Sequence, residues 1–367
     1  MRVVSSFVVL AALAATADAG LTPVDSFGSN PGELDMFEYV PADLPAGRPL
    51  VVVMHGCTQT AAAMEAAGWN SLADEYRFAV VYPQQRNANQ QLGCFTWYAA
   101  GDIARDAGEA ASIVQMVDKA IATHGSDSER VYVTGLSAGA AMTAVMLAAY
   151  PDRFRAGSIM AGVPYACATD VTSGSTCASS GSDKTPAQWG DLVRAADPGF
   201  TGPYPRVQIW HGSADYTVAT KNATELVEQW TDVWGAEPTA SATDTISKAT
   251  RTQYRAGSQL AVELYIVDGM GHAIATGADE LGDCPATSGA FFSDQAICST
   301  LRAAQFFGVL GSGDGGDGSG GDGTHDDGAA HDGGGCSAGH SGGIALLALC
   351  GLVRRRYARG TAGRTGP

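Results

Sequence analysis

Basic side chains are few in this sequence: 22 Lys and Arg stand against 38 Asp and Glu, a formal charge of −16. A surface so short of positive charge excludes the nucleic-acid binders, which need a basic face to neutralise phosphates. No Cys-x-x-Cys spacing occurs among the eight cysteines, which removes the usual thiolate metal sites, and no other metal set stands out. An apolar run long enough to cross a bilayer is missing as well. The stretch Ile344–Val353, even extended back to Ala338, is short of the roughly 20 residues a spanning helix needs. No internal repeat is evident, so a solenoid is excluded.

What is present at the two ends reads as addressing. Residues 1–19 carry Arg2, an apolar run from Phe7 to Ala15, and Ala17-Asp18-Ala19 before Gly20. That is the form of a secretory signal peptide. Residues 311–335 are Gly and Asp with almost nothing apolar, a flexible linker that cannot bury a core. The strict nonapeptide period of calcium-binding repeats is absent from it. Residues 336–367 bring Cys336, the apolar stretch, and Arg354, Arg355 and Arg356 behind it. This tail resembles the C-terminal sorting tails of myxobacterial surface proteins, which implies contact with a membrane or a sorting machinery. The expected destination is secreted or cell-surface.

Residues 20–310 are expected to form one catalytic domain of α/β class. Short β-branched apolar runs alternate with helical stretches, the pattern of a mostly parallel sheet covered on both faces. "PLVVVMHG" reads as a fully buried strand, "TAAAMEAAGWNSLADEYR" as one helix, and "FAVVYP" as the next strand. Further strands are expected in "RVYVTGL", "FRAGSIMAGV", "RVQIWHG" and "LAVELYIVDG". The polar stretch from Tyr165 to Tyr204 is expected to be an insertion or lid.

"VYVTGLSAGAAM" sets Ser137 between a strand and a small-residue helix, with Gly135 and Gly139 two residues to either side. A nucleophile elbow needs glycines there, because a β-carbon would strike the neighbouring strand or helix. The fold then requires an acid and a base, in that order, after later strands. Asp215 in "HGSADYTV" and His272 in "GMGHAI" fit those places. The competing Asp268 lies at the same strand end as His272. The oxyanion donors are expected to be the N–H groups of Ala138 and Cys57. Six body cysteines leave the connectivity open; the nearest-neighbour pairing is Cys57–Cys94, Cys167–Cys177 and Cys284–Cys298. Trp97 and Tyr98 either stack on a sugar or aromatic acyl group or simply pack at the pocket rim.

Taken together, "VVVMHGCTQTA", "VVYPQQ", "GCFTWY", "GEAASIVQMV", "VYVTGLSAGAAMTAVMLAAYPDRF", "AGVPYACA", "HGSADYTV" and "GMGHA" resemble secreted esterases of the polyhydroxybutyrate depolymerase family. These are relatives of feruloyl and acetylxylan esterases. The resemblance implies an α/β-hydrolase fold, a Ser137–His272–Asp215 triad, Cys57 in the oxyanion loop, and no cofactor. The substrate it implies is a hydroxyalkanoate ester or oligomer; the alternatives are a plant-polysaccharide ester and a surface-displayed binding protein. Where the family often continues "GHAWPGG", this chain reads "GHAIATGADELGDC", implying a different acyl- or alcohol-side pocket. Without a separate substrate-binding domain after the linker, soluble oligomers or polysaccharide esters are expected over solid polyester.

Overall fold

The computed structural model describes residues 20–311. The expected signal peptide (1–19), the expected linker beyond residue 311 and the expected sorting tail (336–367) lie outside the described residues. Strands β1 (Thr22–Val24), β2 (Asp35–Tyr39) and β3 (Leu50–Met54) are followed by α1 (Trp69–Tyr76), β4 (Ala79–Gln84), α2 (Ala100–Ile103) and α3 (Gly108–His124). Next come β5 (Val131–Leu136), α4 (Ala138–Ala149), β6 (Ala156–Met160), α5 (Val171–Ser180), α6 (Pro186–Ala196), β7 (Arg206–Gly212) and α7 (Lys221–Trp234). The chain continues through β8 (Ala242–Ile246), β9 (Ala249–Ala256), β10 (Gln259–Val267), β11 (Ile274–Thr276), β12 (Phe292–Asp294) and α8 (Ser299–Phe307).

One sheet runs in the order β1-β2-β4-β3-β5-β6-β7-β10-β9-β8. Its centre, β4-β3-β5-β6-β7-β10, is parallel, and antiparallel strands flank it on both sides. This is the α/β-hydrolase arrangement. Each central strand alternates between two cores, as a side-chain period of two demands. Val52 and Val133 face α3, α4 and α7, while Val51, Val53 and Tyr132 face α1 and α8. Every residue of α4 is buried, which is why its sequence is apolar all round rather than amphipathic.

The expected first helix is broken in two. Residues Ala62–Ala67 form a 3₁₀ turn, and Gly68, at φ 85°, starts α1 in a new direction. A β-carbon there would lie 2.5 Å from the Pro285 backbone, so the break lets a distant loop close in. The outer strands β1, β2, β8 and β9 carry no strong apolar run and are not expected from composition. The Tyr165–Tyr204 stretch forms α5 and α6. Capping boxes on Asp170 and Thr185 start them and satisfy N–H groups that a helix start leaves unpaired, while Pro186 at the first position of α6 has no N–H to satisfy.

An aromatic pair stacks across β7 and β10, the strands that lead to Asp215 and His272. Trp210 and Tyr265 are register partners and stack at 3.9 Å. Trp210 also donates Nε1–H to Gln208 at 2.8 Å. Trp210→Ala should lower the unfolding free energy by about 3–5 kcal/mol, read from the urea midpoint at unchanged slope. A loss under about 1 kcal/mol would mean that the pair contributes little beyond a tolerated surface change.

Candidate active site

Ser137 joins β5 to α4 with φ 57° and ψ −118°, a backbone state that non-glycine residues rarely adopt. Two bonds hold it there. Its N–H donates to Met160 of β6 at 3.0 Å, and its carbonyl accepts from Ala141 at 2.9 Å. The flanking glycines are required by space. A β-carbon on Gly135 would lie 2.5 Å from Gly139 and 2.8 Å from the Met54 carbonyl, and one on Gly139 would lie 2.4 Å from that same carbonyl. Strand β3 and helix α4 therefore meet backbone to backbone, and Ser137 stands at the carboxyl edge of the sheet.

Asp215 follows β7 and His272 follows β10, and the structure joins them. His272 Nδ1 lies 2.7 Å from Asp215 Oδ2, while Asp215 Oδ1 accepts from the N–H groups of Thr217 and Val218, each at 2.9 Å. Burial pushes the Asp215 carboxyl up, but the His272 and Val218 hydrogen bonds outweigh it and hold the group below its ordinary value. An ionised carboxylate only accepts, so His272 Nδ1 carries a proton, and in the neutral imidazole this leaves the lone pair on Nε2. The rival Asp268 points elsewhere, accepting from Ser213 Oγ at 3.3 Å. Among the described residues, no hydrogen bond joins Ser137 Oγ to His272 Nε2; such contacts often tighten only in the substrate complex.

The loop after β3 passes directly beside the serine, since a β-carbon on Gly56 would lie 3.2 Å from Ser137 Cβ. Cys57 is the next residue, and among the described residues its N–H donates to no backbone carbonyl. Ala138 opens α4, where a first-turn N–H has no intrahelical acceptor. The structure pairs Cys57 with Cys94, Cys167 with Cys177 and Cys284 with Cys298. Trp97 and Tyr98 are half-buried and meet at right angles, centroids 5.4 Å apart. They pack on the small cluster of Ala141, Val163, Ala168, Cys177 and Val218. That cluster joins Ala141 of α4 to Cys177 of α5, and Gly174 of α5 lies against Tyr98.

A buried polar network beneath the oxyanion loop is not evident from sequence. His55 Nδ1–H donates to the Gly56 carbonyl at 2.8 Å, and its Nε2 accepts from Gln85 N–H at 3.1 Å. Burial pushes this imidazole down to about 4. The Gln85 side chain donates to the Cys94 carbonyl at 3.2 Å and to Glu109. Thr96 Oγ1 lies 2.6 Å from both Asp102 Oδ2 and Glu109 Oε1. One hydroxyl carries one proton, so one of those carboxyls must carry the second. Burial pushes Glu109 up to about 7, against the hydrogen bonds from Thr96 and Gln85, which makes it the natural holder. The available signal was periodicity: Glu109 falls in line with Ile113, Met116 and Ala120 on the buried face of α3.

Residues 36–252 match the family described as esterase PHB depolymerase. The chain is 50% identical over 309 residues to poly(3-hydroxyalkanoate) depolymerase C of Paucimonas lemoignei, covering 83% of this chain and 73% of that one. It is 38% identical over 267 residues to feruloyl esterase B of Talaromyces funiculosus, covering 70% and 74%. Among solved structures, an acetyl xylan esterase from Aspergillus awamori superposes with a TM-score of 0.68 at 29% identity, covering 79% of this chain and 99% of that one.

The two buried titrating groups push stability in opposite directions. Folded Glu109 keeps its proton up to about pH 7, but the unfolded chain binds it only below about 4.5. Its contribution to stability therefore rises as pH falls across that window. His55 binds its proton near 6.5 when unfolded and near 4 when folded, so its contribution falls on acidification. Glu109→Gln removes the first effect alone. The stability of the native sequence relative to this variant should rise by about 3 kcal/mol from pH 7 to pH 4.5, followed by urea midpoints at each pH. A constant difference would show that Glu109 is ionised in the fold.

Proposed function

This chain belongs to the esterase PHB depolymerase family of serine carboxylic-ester hydrolases, and from that premise we propose that it cleaves hydroxyalkanoate esters through an acyl-enzyme on Ser137. In this reading His272 Nε2 removes the Ser137 proton as Oγ attacks the ester carbonyl. Asp215 keeps the Nδ1–H tautomer and stabilises the imidazolium. The N–H groups of Cys57 and Ala138 receive the oxygen as it gains charge. The alcohol leaves with the proton from His272, and a water activated by the same imidazole then releases the acid. No metal or organic cofactor enters these steps.

The observation that carries the substrate assignment is the 50% identity to a poly(3-hydroxyalkanoate) depolymerase along 83% of the chain, against 38% to a feruloyl esterase. The TM-score of 0.68 to an acetyl xylan esterase supports polysaccharide esters as the second reading. Three disulfides suit an oxidising compartment and support export through residues 1–19. Residues 20–310 then act as the catalytic unit, and residues 311–335 and 336–367 as linker and surface-sorting tail.

Ser137→Ala should lower hydrolysis of p-nitrophenyl butyrate by about 10³-fold or more, with folding checked by circular dichroism. Asp215→Asn, which keeps the shape and loses the tautomer control, should cost a comparable factor. Rates on amorphous polyhydroxybutyrate, methyl ferulate and acetylated xylan rank the substrates. Undiminished turnover by folded Ser137→Ala would sink the mechanism.

A further inference from the structure

The loop after β3 turns at Gly56-Cys57-Thr58-Gln59, and its four backbone N–H groups can be followed one by one. Gly56 N–H donates to the Gln59 side-chain Oε1 at 2.9 Å. Thr58 N–H donates to the Leu92 carbonyl at 2.7 Å, and Gln59 N–H to the Gly56 carbonyl at 3.2 Å. Among the described residues, Cys57 N–H has no acceptor. Most backbone donors in a fold are paired, so one left open between three that are taken is available to a ligand.

Gln59 holds Gly56 at both ends. Its amide oxygen takes the N–H, and its own N–H reaches the carbonyl, to which His55 Nδ1 also donates at 2.8 Å. An N–H needs an acceptor opposite it, so the Gln59 amide has one orientation. The Gly56 carbonyl and the Cys57 N–H belong to one planar trans peptide and point to opposite sides of it. Fixing the carbonyl therefore aims the N–H.

The turn requires such holding. Thr58 has φ 63°, an outlier for a β-branched residue that persists only where its surroundings over-determine it. Here they are the Leu92 carbonyl, the Cys57–Cys94 bridge and the Gln59 clamp. Gln90 Oε1 fixes the partner segment in turn, accepting from Leu92 N–H at 2.7 Å and Cys94 N–H at 3.1 Å. The clamp also lies against the serine. A β-carbon on Gly56 would stand 3.0 Å from Gln59 Oε1 and 3.2 Å from Ser137 Cβ.

We propose that Gln59 is a positioning residue for the reaction at Ser137: by clamping Gly56 it aims the Cys57 N–H at the ester oxygen as that oxygen gains charge. The inference rests on the esterase reading, with Cys57 as a donor, and adds the side chain that directs this donor. The bonds to Gly56 exist without substrate, so the donor need not reorient as charge develops. Gln59 is only half-buried, so its loss should reach the transition state before it reaches the fold.

The test uses the full chain with Gln59→Met, which keeps the length and loses the amide. On p-nitrophenyl butyrate, kcat should fall about tenfold or more while KM moves less than about twofold. Ser137 Oγ adds to the carbonyl of an alkyl trifluoromethyl ketone and leaves a tetrahedral oxyanion. The inhibition constant of that ketone should therefore rise by the factor that kcat falls. Thr60→Val is the control, because the Thr60 hydroxyl accepts from Ala63 N–H at 3.2 Å in the same loop, away from Gly56. Both readouts should stay within about twofold there. Circular dichroism checks folding, and Gln59→Ala repeats the measurement if the Met variant does not fold. An unchanged kcat in the folded Gln59 variant would overturn the clamp. So would a loss confined to KM, a kcat loss without the matching loss of ketone affinity, or an equal loss in Thr60→Val. Failure of the esterase reading shows separately, as p-nitrophenyl butyrate turnover that survives Ser137→Ala.

Discussion

The close approach of β3 to α4 is the constraint on which the rest of the site depends. A residue at φ 57° and ψ −118° is held only when its surroundings over-determine it. Here the surroundings are two glycines with no room for a β-carbon, a bond to β6, and the first turn of a fully buried helix. That contact sets three things at once. It lifts Ser137 to the sheet edge, it presents the first-turn N–H of Ala138, and it brings the Gly56–Cys57 loop to within van der Waals reach of the serine.

Rigidity on the oxyanion side comes from polar groups buried under that loop. His55 fixes the Gly56 carbonyl from below, Gln85 fixes both His55 and the Cys94 carbonyl, and Glu109 anchors Gln85 and Thr96. The Cys57–Cys94 bridge ties the two loops covalently. A neutral imidazole and a carboxyl raised toward neutrality are the forms that a dry site tolerates. On the other side, Asp215 holds one backbone turn with Oδ1 and His272 with Oδ2, so the acid and its loop are positioned by the same carboxylate. Buried His211 supports that turn from behind, donating to the Val218 carbonyl at 2.8 Å.

Much of this was legible in the sequence. The parallel core strands were readable because strands buried on both faces are continuously apolar. The serine, acid and base were readable because the fold imposes a chain order and because glycine has few other reasons to flank a serine at i−2 and i+2. The antiparallel strands β8 and β9 were not, since exposed outer strands carry the mixed composition of loops. The split of the first helix at Gly68 was hidden for a different reason: its cause is a loop more than 200 positions later in the chain.

The sequence alone determined the fold class, the family and the types of chemical group at the sheet edge, since those follow from local periodicity and from short motifs in fixed order. Tertiary structure decided which carboxylate serves His272 and which groups lie beneath the oxyanion loop. Asp215 and Asp268 both lie just past a strand end in the chain, and only the path of the β7 and β10 loops turns one of them to the imidazole.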